Sequence, residues 1–165
     1  MIFARSHALR EGARTDLTVP FGAVPTGGAW TAVPGRHGRV GGMAPPDEVT
    51  EFFAGYPLGQ SVYEKVCAIL DRLGSYEVRV SKSQVAFRRR RGFAYLWRPG
   101  QYLAKPAAEV VLSIALGRAL HSDRFKEVAH PTSRQWMHHL EIHAMGDLDD
   151  EVAGWLREAA QRAGS

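Results

Sequence analysis

Cysteine is almost absent from this sequence: Cys67 is the only one in 165 residues. That excludes an internal disulfide framework and any multi-cysteine zinc or iron–sulfur site supplied by a single chain. Long apolar runs are missing too. None approaches the roughly 20 residues that a bilayer-spanning helix needs. The N-terminus, MIFARSHALREGARTDL, breaks its apolar residues with charges before a signal-peptide core could form. The expectation is therefore a cytoplasmic protein with no membrane partner. There is no serine nucleophile elbow, no His-Glu-x-x-His pair, no Walker loop and no kinase signature. These absences leave no enzyme class indicated, without excluding catalysis, and no cofactor is implied.

A strong charge of one sign is also lacking once the chain is divided. The net charge is +4, but residues 1–46 hold five arginines against two acids and carry +3 of it. The remaining body holds 16 basic and 15 acidic side chains, too even a balance for strong binding to a phosphate backbone. Its charge is segregated instead. Residues 76–134 hold twelve basic and four acidic side chains, whereas 47–75 and 135–165 are both acidic on balance. Such a layout fits either a basic ligand-facing surface or charge complementarity between layers.

Residues 1–46 are rich in Gly, Pro, Ala, Thr and Arg and show neither helical nor strand periodicity. They read as an irregular leader, with Phe21 and Trp30 able to dock on the domain, or as translated sequence upstream of a natural start at Met43. From residue 47 to 165 the pattern is that of a single domain. PDEVTEFFAG reads as a short helix opened by Pro46 and closed by Gly55. SVYEKVCAILDRLG places Ser61 and Glu64 in capping-box spacing, aligns Val62, Val66, Ile69, Leu70 and Leu73 on one stripe, and stops at Gly74. Cys67 lies beside that stripe as a small core or boundary residue. Six short strand-like runs follow: YEVRVS, QVAFRR, FAYLWR, EVVLSIAL, RFKEVAH and WMHHLEIH. GDLDDEVAGWLREAAQRAGS reads as a last helix, with Leu148, Val152, Trp155, Leu156, Ala159 and Ala163 on one face and Gly164 as its end. Helices at both ends with five or six strands between them predict an α+β fold, an antiparallel sheet whose N-terminal and C-terminal helices pack on one face.

The run VAFRRRRGFAYLW, residues 85–97, poses the main functional question. A left-handed Gly92 closing a three-residue loop would pair Arg89 with Phe93, Phe87 with Tyr95 and Val85 with Trp97. The arginines would then sit at a hairpin tip, where long charged side chains discourage edge-to-edge sheet pairing. In the alternative, Phe93, Tyr95 and Trp97 share one sheet face, flanked by arginines, and grip single-stranded nucleic acid or a nucleotide by stacking. Arg88, Arg98, Arg79 and Lys82 are candidates for holding a small carboxylate or phosphate in a sheet-lined pocket.

WMHHLEIH offers a second temptation. Alternation sends Trp136, His138, Leu140 and Ile142 to one face and Met137, His139, Glu141 and His143 to the other. Residues two apart on a strand lie roughly 7 Å from each other, so His139 and His143 stand about 13 Å apart and cannot meet on one zinc. A core-packed, hydrogen-bonded His138 beside a polar outer row is the preferred reading, and no metal site is expected. A metal-assisted hydrolase built on His139, Glu141 and His143, helped by His130, is the third-ranked alternative. The acids Asp147, Asp149, Asp150 and Glu151 stand where a helix begins, which capping and the helix dipole explain without a cation.

EFFAGYPLGQSVYEKV, VSKSQVAFRRRRGFAYLWRP and WMHHLEIHAMGDLDDEVAGWLREAAQ together resemble an uncharacterised bacterial family, domain of unknown function 5655. The likeness spans about residues 50–163. Its markers are Ser81-Lys82-Ser83, the Phe93-Ala94 pair, the histidine near Trp136 and the Leu-Asp-Asp start of the last helix. The resemblance implies a small α+β module with a curved sheet and carries no catalytic residues across. Some relatives are appended to nuclease-like domains, which by analogy favours the nucleic-acid alternative slightly. The leading expectation is a small-molecule-binding or accessory interaction module with an anionic ligand. Ser81, Lys82, Arg88, Tyr95, Arg98, His138 and His139 are the expected lining.

Overall fold

A computed structural model of the protein describes residues 46–165. The leader, its docking residues Phe21 and Trp30, and the alternative start at Met43 lie outside the described residues. Among the described residues no helix is long and apolar enough to cross a membrane.

Helix α1 spans Pro46–Phe52 and α2 spans Pro57–Leu70, continued by a 3-10 turn at Asp71–Leu73. The strands are β1 Glu77–Val80, β2 Val85–Arg88, β3 Gly92–Trp97, β4 Val110–Leu116, β5 Glu127–Thr132 and β6 Gln135–Ile142; helix α3, Asp150–Gly164, closes the chain. All pairings are antiparallel and the sheet order is β1-β2-β3-β4-β6-β5. This is the expected α+β architecture. The core lies between the helices and one sheet face. Val49 and Phe52 of α1, Val62, Val66 and Leu70 of α2, and Val152, Leu156 and Ala159 of α3 bury against Phe87, Leu96, Leu112, Ile114, Leu140 and Ile142. Alanines on the inner side of α3 let its backbone approach β3 and β4 closely.

Helix α2 begins four residues before the expected cap. Pro57 occupies the first turn, where its missing N–H is no loss. Ser61 therefore lies inside the helix, donating to the Pro57 carbonyl at 3.2 Å, and Glu64 accepts from Gln60 at 3.1 Å. No capping box forms. The expected stop at Gly74 does hold: its φ of +95° is backbone that a side chain would strain. Cys67 is buried in the core beside Tyr63 and Tyr76, and burial pushes its thiol pKa up.

The β2–β3 hairpin differs from expectation by one residue. Phe87 faces Ala94, Ala86 faces Tyr95 and Val85 faces Leu96. Arg88 pairs with Gly92, so Phe93 has no partner on β2 and forms a bulge. Gly92 does not have a positive φ. The bulge resets the alternation: Phe93 turns into the helix-side core next to Ala94, while Tyr95 swings back over Gly92 and fills the space a Cβ would need there. Glycine is required at 92 for close approach, not for handedness. Phe93, Tyr95 and Trp97 consequently do not form one aromatic row.

The arginine run turns the corner by capping helices. Arg89 donates to the carbonyls of Leu73 at 2.5 Å, Ala160 at 3.0 Å and Ser75 at 3.1 Å. Arg91 donates to the Arg162 carbonyl at 2.6 Å, and the Arg90 backbone N–H to Ala163 at 3.1 Å. Helix C-termini present unpaired carbonyls and partial negative charge, so cations settle there.

Candidate functional site

The sheet's second face carries a polar row running across all six strands. The register places Arg79, Ala86, Tyr95, Ser113, His139 and Glu127 opposite one another in sequence. Alternation along each strand follows from the pleat, so every one of these side chains leaves the core side. Around the row stand small residues, Ala86, Ala115 and Ala129, and larger ones, Trp97 and Met137. The centre of this face is also withdrawn from water: Ala86, Ser113, Ala115 and His139 are each 3% exposed. The expected polar outer row is in this respect wrong, since His139 is as buried as the core. β4 is buried along its whole length, in keeping with its place between two paired strands.

Ser113 is the pivot. The Trp97 indole N–H donates to its Oγ at 2.9 Å, and its Oγ lies 2.7 Å from His139 Nδ1. An indole can only donate, so the serine oxygen accepts there, and its contact with Nδ1 runs in the direction that the His139 tautomer sets. Burial, with a smaller contribution from neighbouring His138, pulls the His139 pKa down to about 4. Burial also raises the Glu127 carboxyl and the Tyr95 hydroxyl, the latter opposed by the nearby Arg88 charge. Arg88 itself is half-buried beside Tyr95, and its Nε is shut away from water with no hydrogen-bond acceptor. A buried guanidinium N–H without an acceptor costs on the order of 1–3 kcal/mol.

The seven residues expected to line one pocket fall in three places. Arg88, Tyr95 and His139 share the second face. Arg98 follows β3 on the helix side, its guanidinium 4.4 Å from the Phe52 ring centre and 5.0 Å from that of Tyr56. His138 is on that side too, fully buried, accepting from the Leu120 N–H at 3.0 Å through Nε2. Ser81 and Lys82 form the β1–β2 turn: Ser81 Oγ donates to the Gln84 carbonyl at 3.0 Å, and the exposed Lys82 accepts from Gln101 through its carbonyl at 2.9 Å. The split has a simple origin, because adjacent histidines on a strand must point to opposite faces. Trp97 and Ser113 were missed. Their signal is a serine inside the otherwise apolar VVLSIAL, a central strand where a polar group needs a partner.

The metal alternative finds little to stand on. His139 faces Ser113, His143 Nε2 is 3.9 Å from Glu141 Oε2, and the His130 ring stacks on Trp136 at 3.8 Å. Among the described residues no three His, Cys, Asp or Glu side chains are placed to hold an ion. The acids before α3 cap backbone, as their positions suggest. Asp149 accepts from the Val152 N–H at 3.1 Å, and Asp147 from those of His143 and Ala144 at 2.8 and 3.0 Å.

Neither a curated protein nor a solved structure matches this chain. One family does, over residues 49–162, which takes in all six strands, the whole of α2, most of α3 and the second half of α1. On that extent of match the chain belongs to the family described as domain of unknown function DUF5655.

Proposed function

We propose that this domain is a small-molecule-binding module of the bacterial cytoplasm whose ligand is an anion, seated on the second sheet face. The observation that carries the reading is Arg88, a half-buried cation with a sequestered Nε–H and no acceptor. A carboxylate or phosphate oxygen would supply that acceptor and the counter-charge together. Tyr95 stands beside it, and Ala86, Ser113 and Ala115 place small side chains on the same face. Ser113 and neutral His139, bonded to each other beneath this face, add polar atoms to mostly apolar surroundings, the usual composition of a ligand site.

The nucleic-acid alternative loses its main support. Arg89 and Arg91 are committed to helix carbonyls, and Phe93 is in the core.

Native mass spectrometry of the purified protein tests the proposal. An acidic adduct of small mass on the wild type, absent from Arg88→Met, supports it. Equal adduct occupancy in Arg88→Met refutes the assigned role of Arg88. Salt-sensitive retention on single-stranded DNA that is lost in Arg88→Ala would refute the small-molecule reading in favour of the alternative.

A further inference from the structure

The connection between β4 and β5 is fastened near its start by a buried histidine and near its far end by an arginine among carboxylates. Residues 117–126 cross the helix-side end of the sheet. Near their start, Arg118 forms a two-point ion pair with Glu158 of α3, at 3.1 and 2.9 Å. Next, the Leu120 N–H donates to His138 Nε2 at 3.0 Å. Near the far end the Phe125 ring lies 4.9 Å from that of His138 and 4.6 Å from that of Trp155. Arg124 reaches Asp149 at 2.9 Å, Glu151 at 2.9 Å and the Asp147 carbonyl at 2.6 Å. Asp123 to Lys126 also form one wall of an open groove of about 410 Å³, with Leu140, Glu141, His143 and Asp147 across from them.

We propose that residues 117–126 are a strap latched by neutral His138, and that protonation of this buried ring releases the Leu120 end. The geometry supplies the reason. His138 is fully buried, and its Nε2 is the acceptor for a backbone N–H. A proton on Nε2 turns acceptor into donor, so the imidazolium and the Leu120 N–H then face each other with two hydrogens and no lone pair. The charged groups facing the ring do not offset this. Arg118 and Glu158 are already paired with each other. β4 and β5 present Ile114 and Val128, and His139, next along β6, points to the opposite face.

The strap stays tethered through Arg124 while its Leu120 end lets go. Asp149 is held below the ordinary carboxylate range by Arg124 and by the Val152 N–H, so it remains ionised through mild acid. The latch titrates first. Burial lowers the His138 pKa below its ordinary 6.5, whereas in the opened strap the ring is hydrated and regains that value. Opening is therefore coupled to proton uptake. The open-to-closed ratio rises up to tenfold for each pH unit below 6.5 until the closed-state pKa is reached.

Amide hydrogen exchange read by NMR on the whole protein tests this, using protection factors so that intrinsic exchange is divided out. The Leu120 protection factor should fall, by no more than about fivefold, between pH 6.5 and 5.5, staying well below that of Ile114 in β4. In His138→Gln, whose amide oxygen accepts without titrating, it should be flat over that range. A flat wild-type profile overturns the proposal. So does a Leu120 protection factor equal to that of Ile114, which would mean global unfolding, or an undiminished fall in His138→Gln. Should that variant not fold, the wild-type ring decides: the His138 carbon shifts must titrate with the same midpoint as the Leu120 amide shift, and separate midpoints refute the latch.

Discussion

Replacing Arg89 should separate a structural arginine from a ligand-gripping one. Its guanidinium donates to three carbonyls, those of Leu73 and Ala160 in partly buried surroundings and that of Ser75 in the open. Hydrogen bonds from a charged donor contribute about 1.5–3 kcal/mol each when sheltered, and little when exposed. A cation at a helix C-terminus adds about 0.3–1 kcal/mol. Water replaces part of what Arg89→Ala removes, so the expected loss is about 2–4 kcal/mol rather than the full sum. For a domain of this size that corresponds to a fall in Tm of roughly 8–15 °C. Urea unfolding followed by circular dichroism, with the m-value checked for constancy, measures it. Arg90→Ala is the control: that side chain is exposed and should stay within about 0.5 kcal/mol of wild type. Arg89→Lys should recover only part of the loss, because one ammonium cannot reach carbonyls that a planar fork spans. Arg89→Ala with wild-type stability would refute the capping role. If the same variant lost binding to single-stranded DNA, the arginine run would be a nucleic-acid contact after all.

Three further outcomes follow from the same geometry. Phe87→Ala removes a fully buried ring packed 5.9 Å from Tyr63 and 6.1 Å from Tyr76. It should cost about 3–5 kcal/mol in chemical denaturation, and a loss under about 1 kcal/mol would mean the core is misplaced. Gly74→Ala puts a Cβ on backbone at φ +95°, with its nearest neighbour, the Arg89 guanidinium, at an unstrained 3.8 Å, so backbone strain alone should cost about 1–2 kcal/mol. An unchanged midpoint would show that the turn relaxes. For acid stability the sign is that of buried neutral histidines: the unfolded chain binds protons that the folded one refuses. His139, with its pKa near 4 against an ordinary 6.5, leaves stability untouched above pH 6.5 and removes about 3 kcal/mol as pH falls to 4. Denaturant midpoints at pH 7, 5.5 and 4.5 should decline in that order, and a flat series contradicts the assignment of a neutral ring.

Local pattern was legible wherever one residue's neighbours along the chain dictate its conformation. The α3 stripe from Val152 to Ala163, the stop at Gly74 and the opposite facing of His138 and His139 all follow from period and handedness alone. The start of α2 was misplaced because two valid signals compete, a proline first turn and a capping-box spacing, and the turn at Gly55 selects the proline. The hairpin register was off by one because a bulge does not show in alternation. It arises when Phe93 gains more by entering the core than by staying in step with Tyr95.

The site shows the same division more sharply. Composition singled out Arg88, Tyr95 and His139, but nothing in their spacing revealed that Trp97 and Ser113 complete the group, since strand order places β4 between β3 and β6. Nor could it reveal that Arg89 would be spent on Leu73 and Ala160, residues 16 and 71 positions away along the chain. By itself the sequence determined the helices, the strands and which way each side chain leaves its strand, because these depend on backbone geometry and near neighbours. Only the tertiary structure decided which arginines keep a free charge and which polar atoms share a row, because both depend on contacts that chain closure brings together from distant positions.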